Sequence, residues 1–434
     1  MCIRDSALLL VGPGHLRRSR WFLAALGVLL MASALLVPLG SSAPTEALLE
    51  AAGWITVVVG LGRLTFFLLD EGGRNWLLLV QAAGLVVFGF ALADFTSESG
   101  KAIPWLFGLA LILNGLYQAL SAIVIRYPRW GWWVAIGGAH LVAAALLLFL
   151  WRGAIAWAVP AALKLGLGFL GLSAFWMAVR LSQYLADASR NRADAKLAVR
   201  YYLDFHVARR FRERSVGPVS GMPVDSGAPH GDLLVHVWTP ITVAGTNRKT
   251  NIVSRYVAAQ DKEGKFTVGH SALEMSPDVY ISHCDGNPDA FETTDEVWQT
   301  LRSKNVHGVF LPTFEEEVAH YMQPSATIRF HRFSAGQLRT FWAAYRVVTD
   351  YNFTNRNCSV AVAMALEAAL LGSLASPHWV RSLLSLLANK DLWVAHFIRW
   401  KASEMVWTPG LMLDYARALE RVVEAEGAGR LPGA

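Results

Sequence analysis

Gly269-His-Ser-Ala-Leu-Glu-Met-Ser-Pro-Asp-Val-Tyr-Ile-Ser-His283 reads as two short strands joined by the turn Ser276-Pro-Asp, with a histidine at each outer end. Far downstream, Asn357-Cys358-Ser-Val-Ala-Val-Ala-Met-Ala-Leu sets a cysteine at the head of an apolar run that continues to Leu371 without Gly or Pro. That run predicts a buried helix too short to cross a bilayer. A thiol attacks only as thiolate, and a helix N-terminus beside an imidazolium depresses its pKa. A base must take the thiol proton and later return it, and a further polar group must fix the tautomer of that base. Cys358 is therefore the candidate nucleophile, and His270 and His283 are candidates for the base and its orienting partner. The expected geometry has His270 facing Cys358 and His283 behind it on the adjacent strand. Cys284, next to His283 and just before the turn Asp-Gly-Asn-Pro, is a lesser competitor. The bland alternative is a buried structural cysteine with core or surface histidines; order, spacing and strand context together favour catalysis.

These residues resemble the circularly permuted papain-like fold of the NlpC/P60 superfamily, in particular its lecithin-retinol-acyltransferase-like branch, over roughly Asp232 to Leu371. The resemblance implies His270 as base, His283 as orienting residue and Cys358, in an Asn-Cys that opens a helix, as nucleophile. It also implies an α+β domain cleaving an amide, isopeptide or ester bond. After Cys358 the family's usual polar continuation is replaced by Ser-Val-Ala-Val. No cofactor or metal site is assigned.

The rest of the chain departs from an ordinary soluble enzyme: of 434 residues 54% are hydrophobic, only 17% are charged, and 17 are Trp. Three cysteines (Cys2, Cys284, Cys358) give no disulfide framework and suit a reducing compartment. The net charge of +6, with no nucleic-acid motif, gives no argument for a nucleic-acid partner. Residues 1–20 begin with Met-Cys-Ile-Arg-Asp-Ser, which does not join naturally to the apolar residues after it and is read as a non-native or replaced start. Beyond it lie six apolar stretches of about 20 residues, at 21–40, 49–69, 75–93, 102–125, 131–150 and 153–180, which are expected to span a bilayer. They form three pairs. Trp21, Trp76 and Trp132 open the first member of each, and Gly60, Gly115 and Gly171 come 39 residues later, the mark of a tripled hairpin packed through small residues. The pattern over 21–180, above all Ala-Leu-Gly-Val-Leu-Leu-Met-Ala-Ser-Ala-Leu-Leu-Val-Pro-Leu-Gly and then Gly-Trp-Ile-Thr-Val-Val-Val-Gly-Leu-Gly-Arg-Leu, resembles the HdeD family of bacterial inner-membrane proteins. That likeness implies membrane and fold, and little about mechanism. Within the spans Lys164 lies mid-helix and Arg63 and His140 nearer the interfaces, and so few ionisable groups give a transport path little support.

Basic residues cluster before the first span, between the fourth and fifth, and after the sixth, so both termini and the C-terminal domain are expected in the cytoplasm. Residues 181–214 read as a basic amphipathic connector at the bilayer surface, 215–229 as a Gly, Pro and Ser linker, 230–376 as the papain-like domain and 377–434 as a helical extension. Strands are expected at 233–239, 251–259, 266–275, 279–283 and 326–333, with a helix from Ser334 to Thr349. Segment 285–323 carries no clear pattern, and His236 is read as structural. The fold class is thus an all-α six-helix transmembrane module of three hairpins followed by an α+β permuted papain-like domain. The function expected is a membrane-tethered cysteine hydrolase or acyltransferase acting on a peptide, isopeptide or lipid-ester substrate. The rival is a non-catalytic stress-response or scaffold protein with a papain-like binding domain.

Overall fold

The spacing of small residues in the first 180 positions becomes physical contact in the computed structural model of the chain. Apart from single positions, it describes residues 3–12, 19–36, 53–61, 76–93, 102–125, 130–149, 164–183, 195–207, 229–245, 252–260, 266–286, 305–376 and 378–427. Two compact units emerge, one built from Trp21–Ile123 and Arg129–Val179, the other chiefly from Arg180–Ala434. The first is helical and the second carries small antiparallel sheets.

In the helical unit, helices Ser19–Leu36, Trp76–Ala93, Ala102–Ile125, Trp130–Phe149 and Lys164–Gln183 accompany the helical residues 53–61. Its buried side chains are mostly small, Ala34, Ala82, Ala122, Ala144, Ala174 and Ala178, with Val57 and Leu23 the larger ones. Large apolar side chains point outward instead, with Phe149 87% and Leu36 82% exposed. Glycine seams hold the helices together. A Cβ on Gly115 would stand 2.7 Å from the Gly137 carbonyl and one on Gly171 2.7 Å from that of Gly27, while one on Gly60 would meet Val86 at 2.8 Å and the Ala82 carbonyl at 3.1 Å. The partners Gly27, Ala82 and Gly137 recur every 55 residues, so the three seams are equivalent. Each joins the second helix of one hairpin to the first helix of the next, and the third returns to the first. Two described helices, Trp130–Phe149 and Lys164–Gln183, are long and apolar enough to cross a bilayer. The six expected are not reached among the described residues, because 37–46, 65–75, 94–101 and 150–163 lie outside them.

The second unit is organised by a four-stranded antiparallel sheet in the order β5 (Val279–Ile281), β4 (His270–Met275), β1 (Leu233–Trp238), β8 (Ala326–Phe330). Beside it lie a three-stranded sheet, β6 (His283–Asp285), β7 (Val306–Phe310) and β9 (Asp350–Tyr351), and a two-stranded ribbon, β2 (Ala259–Gln260) and β3 (Phe266–Thr267). Helix Cys358–Leu370, buried at every position, packs on β4 and against helix Ala335–Tyr345, which Ser334 caps as expected through the Gln337 N–H.

Two expectations are corrected here. Residues 252–256 form a helical turn where a strand was expected: Arg255 and Tyr256 are drawn to Asp414 at 3.0 Å and 2.7 Å, and this tertiary contact overrides the β-propensity of Ile252 and Val253. The segment expected as a surface connector supplies helix Ala195–Phe205, whose Tyr201, Tyr202 and Leu203 are buried in the core. The C-terminal extension is helical as expected, and it is core: helix Pro409–Gly427 packs on β1 and β8, and Trp407 is buried against Tyr415. One ionic knot joins these parts. The Glu367 carboxylate accepts from Arg399 Nε at 2.6 Å and Nη2 at 2.7 Å, from Tyr415 at 2.8 Å and from Tyr202 at 3.1 Å, while Arg399 also donates to the His206 carbonyl. Removing one partner of such a buried pair costs about 3–5 kcal/mol. Helix Ile3–Val11, at the start set aside as non-native, lies on the same core; the carbonyls of Leu9 and Leu10 accept from Gly372 and Leu374 at 2.9 Å.

Candidate active site

Cys358 is the first residue of its helix, and the loop before it explains why. The Asn352 side-chain oxygen accepts from Thr354 and Asn355 N–H groups, closing a turn. Arg356 spends its donors on the carbonyls of Asp350, Tyr345 and Val348, and its guanidinium lies 4.0 Å over the Tyr345 ring. Much of the polar lead-in is thus engaged within the loop itself. Asn357 then caps the helix, accepting from the Val360 N–H at 2.8 Å and donating to the carbonyls of Phe353 and Trp407.

His270 opens β4 directly after Gly269, whose φ of +75° and close approach to the Trp238 carbonyl leave no room for a side chain. The Cys358 thiol and the His270 ring are brought side by side, their chain neighbours Ser359 and Ser271 being hydrogen-bonded through their hydroxyls at 2.9 Å, and the sulfur lies 3.8 Å from the Ser359 hydroxyl. Burial alone would push this thiol up; the neighbouring His270 charge and these donors outweigh it and bring it below its ordinary value. Burial likewise works against a charged His270, yet the sulfurs of Cys284 and Cys358 raise it well above an ordinary histidine. A lowered thiol beside a raised imidazole is the electrostatic signature of a thiolate–imidazolium pair.

On the far side of the ring, Nε2 lies 2.9 Å from Glu317 Oε1, 2.9 Å from Ser282 Oγ and 3.9 Å from Cys284 Sγ. Glu317 belongs to the short helix Phe314–His320, which comes after β7 and starts at a Thr313 cap. Burial would raise its carboxyl, but hydrogen bonds from His270, Tyr280 and Ser282 hold it low and ionised.

The structure therefore brings Cys358 and His270 together and keeps His283 apart from both. His283 is fully buried, with Nδ1 3.1 Å from the Tyr345 hydroxyl and Phe310 packed on its ring. The reason is strand parity. β4 and β5 pair Met275 with Val279 and Leu273 with Ile281; continued outward, that register sets Cys284 across from His270 and His283 across from Ser271, on the opposite face. Burial, reinforced by the Arg356 charge, lowers the His283 pKa to about 3, so it stays neutral. His236 has both nitrogens engaged, at 2.9 Å to Glu274 and 3.0 Å to Thr327, in keeping with a structural role. No cluster suited to a metal ion occurs among the described residues. Against descriptions of known protein families, characterised proteins and solved structures, the chain shows no match.

Proposed function

We propose that this chain is a membrane-tethered cysteine hydrolase or acyltransferase acting on an amide, isopeptide or ester carbonyl. The observation that carries the reading is Cys358 at the first position of a buried helix, set beside His270 by the Ser271–Ser359 contact, with the thiol pKa lowered and the imidazole pKa raised. The thiol proton passes to His270 and the thiolate adds to the carbonyl carbon. The developing oxyanion falls at the N-terminal end of helix Cys358–Leu370, where the Cys358 N–H is the natural donor. His270 returns its proton to the leaving amine or alkoxide, leaving an acyl thioester on Cys358. Water or a second acceptor, deprotonated by His270, then releases the acyl group and restores the thiol. The permuted papain-like arrangement and its NlpC/P60 resemblance belong to this reading, as does a bilayer around the helical unit, in six spans of the HdeD kind. The exposed Trp, Leu and Phe side chains of that unit support a lipid surround, since water would not tolerate so large an apolar surface. The placement proposed is a bacterial inner membrane, with both termini and the thiol domain in the cytoplasm.

The test is the rate of iodoacetamide alkylation at Cys358 in the full chain against pH, resolved by peptide mass spectrometry to separate it from Cys284. Onset well below the value of about 8.5 for a free thiol is expected, and it should be lost in His270→Ala. A wild-type onset at the free-thiol value would leave only the rival reading, a binding domain without catalysis.

A further inference from the structure

Glu317 comes from a segment without a strand or helix signature in the sequence, yet its carboxylate lies 2.9 Å from His270 Nε2 and is 2% exposed. A carboxylate so buried must be compensated, and here the compensation is specific. Two donors converge on it, the His270 ring and the Tyr280 hydroxyl from β5. The Ser282 hydroxyl, just after β5, lies 2.9 Å from the same His270 nitrogen and helps to hold the carboxylate ionised. The imidazole is therefore held from the side away from the thiol, and its Nδ1 is the nitrogen left for Cys358. We propose that Glu317 is the positioning residue of this site, fixing the tautomer and plane of His270 and balancing the imidazolium formed when Cys358 gives up its proton. The assignment rests on reading Cys358 and His270 as the reacting pair.

Other charges near the pair are few enough to name. Cys284 of β6 and Tyr321, at the end of the Glu317 helix, face the His270 ring; His236 of β1, itself bound to Glu274 of β4, faces Glu317. None of these puts a fixed negative charge within hydrogen-bond distance of Nε2, which only Glu317 does among the described residues. Its loss should therefore appear as a change in charge balance. Without the carboxylate the imidazolium is less favoured, the ring titrates lower and the thiol titrates higher.

Glu317→Gln keeps the shape and removes the charge. In the full chain, the onset of Cys358 alkylation by iodoacetamide should move toward the free-thiol value, and the rate near pH 6 should fall about tenfold or more, one pKa unit being a tenfold change in thiolate. A residue that only braces the fold would lower the melting temperature and leave that onset in place; an unshifted onset in folded Glu317→Gln overturns the assignment. Should the variant not fold, the wild-type chain labelled with 15N-histidine decides. The histidine that titrates with Cys358 should keep its Nε2 protonated, with a far-downfield proton, and an unprotonated Nε2 overturns the assignment. An ordinary onset in wild type would instead remove the thiol chemistry itself. An acid-shifted wild type with an unshifted variant removes Glu317 alone.

Discussion

His283 offers a clean separation of stability from chemistry at the scale of one residue. Its ring is neutral, its partner is Tyr345, and it does not touch His270. His283→Gln should therefore destabilise the chain by about 1–3 kcal/mol, the cost of disturbing a buried hydrogen bond, and leave the onset of Cys358 alkylation unchanged. The two imidazoles interact only when both are charged, so a shifted onset would contradict a neutral His283. The same residue sets an acid limit. In the unfolded chain a histidine titrates near 6.5, whereas His283 and His206 are depressed to about 3 and His396 to about 4, each chiefly by burial. Below pH 6.5 the unfolded chain binds protons that the folded one refuses, so stability falls as pH drops. Each such histidine contributes a slope of at most about 1.4 kcal/mol per pH unit until its folded pKa is reached. Melting temperature measured from pH 6.5 to 5 should decline, and less steeply in His283→Gln. An equal decline in both would contradict the depressed value. His270 has the opposite sign: raised in the fold, its contribution is complete below its unfolded pKa and is lost as pH rises through its folded one.

At the scale of elements, the glycine seams make a paired prediction. Gly115→Leu puts a Cβ 2.7 Å from a backbone carbonyl, which cannot step aside, so its two helices must part and the helical unit should lose thermal stability by several degrees or fail to assemble. Gly84→Ala, on the neighbouring helix Trp76–Ala93, meets nothing within 4 Å and should be neutral or gain up to about 1 kcal/mol of helix propensity. Equal effects of the two substitutions would deny the seams. These seams were legible in the sequence, because a common offset of 39 residues survives three otherwise different hairpins. Cys358 and His270 were legible too, since a helix start and a strand start are local features. Part of the rest could also have been read. The link Ser276-Pro-Asp fixes the register of β4 and β5, and counting outward from Met275 and Val279 reaches Cys284 opposite His270. Glu317 was out of reach. Its helix, Phe314–His320, is seven residues with three successive glutamates, and only the fold decides which of them turns inward.

For the whole molecule, side and order of assembly are the open quantities. A reporter fused after Arg214 should behave as cytoplasmic, as the distribution of basic loops requires; labelling of 215–229 from the periplasm would reverse the arrangement and return cell-wall substrates to consideration. Assembly is governed by the return seam between Gly171 and Gly27. A ribosome delivers helix Ser19–Leu36 long before Lys164–Gln183, so the earliest helix of the unit waits longest for its partner. A chain interrupted anywhere before residue 164 leaves the Gly27 face uncovered, and that waiting surface is what a quality-control protease would recognise in an unfinished molecule.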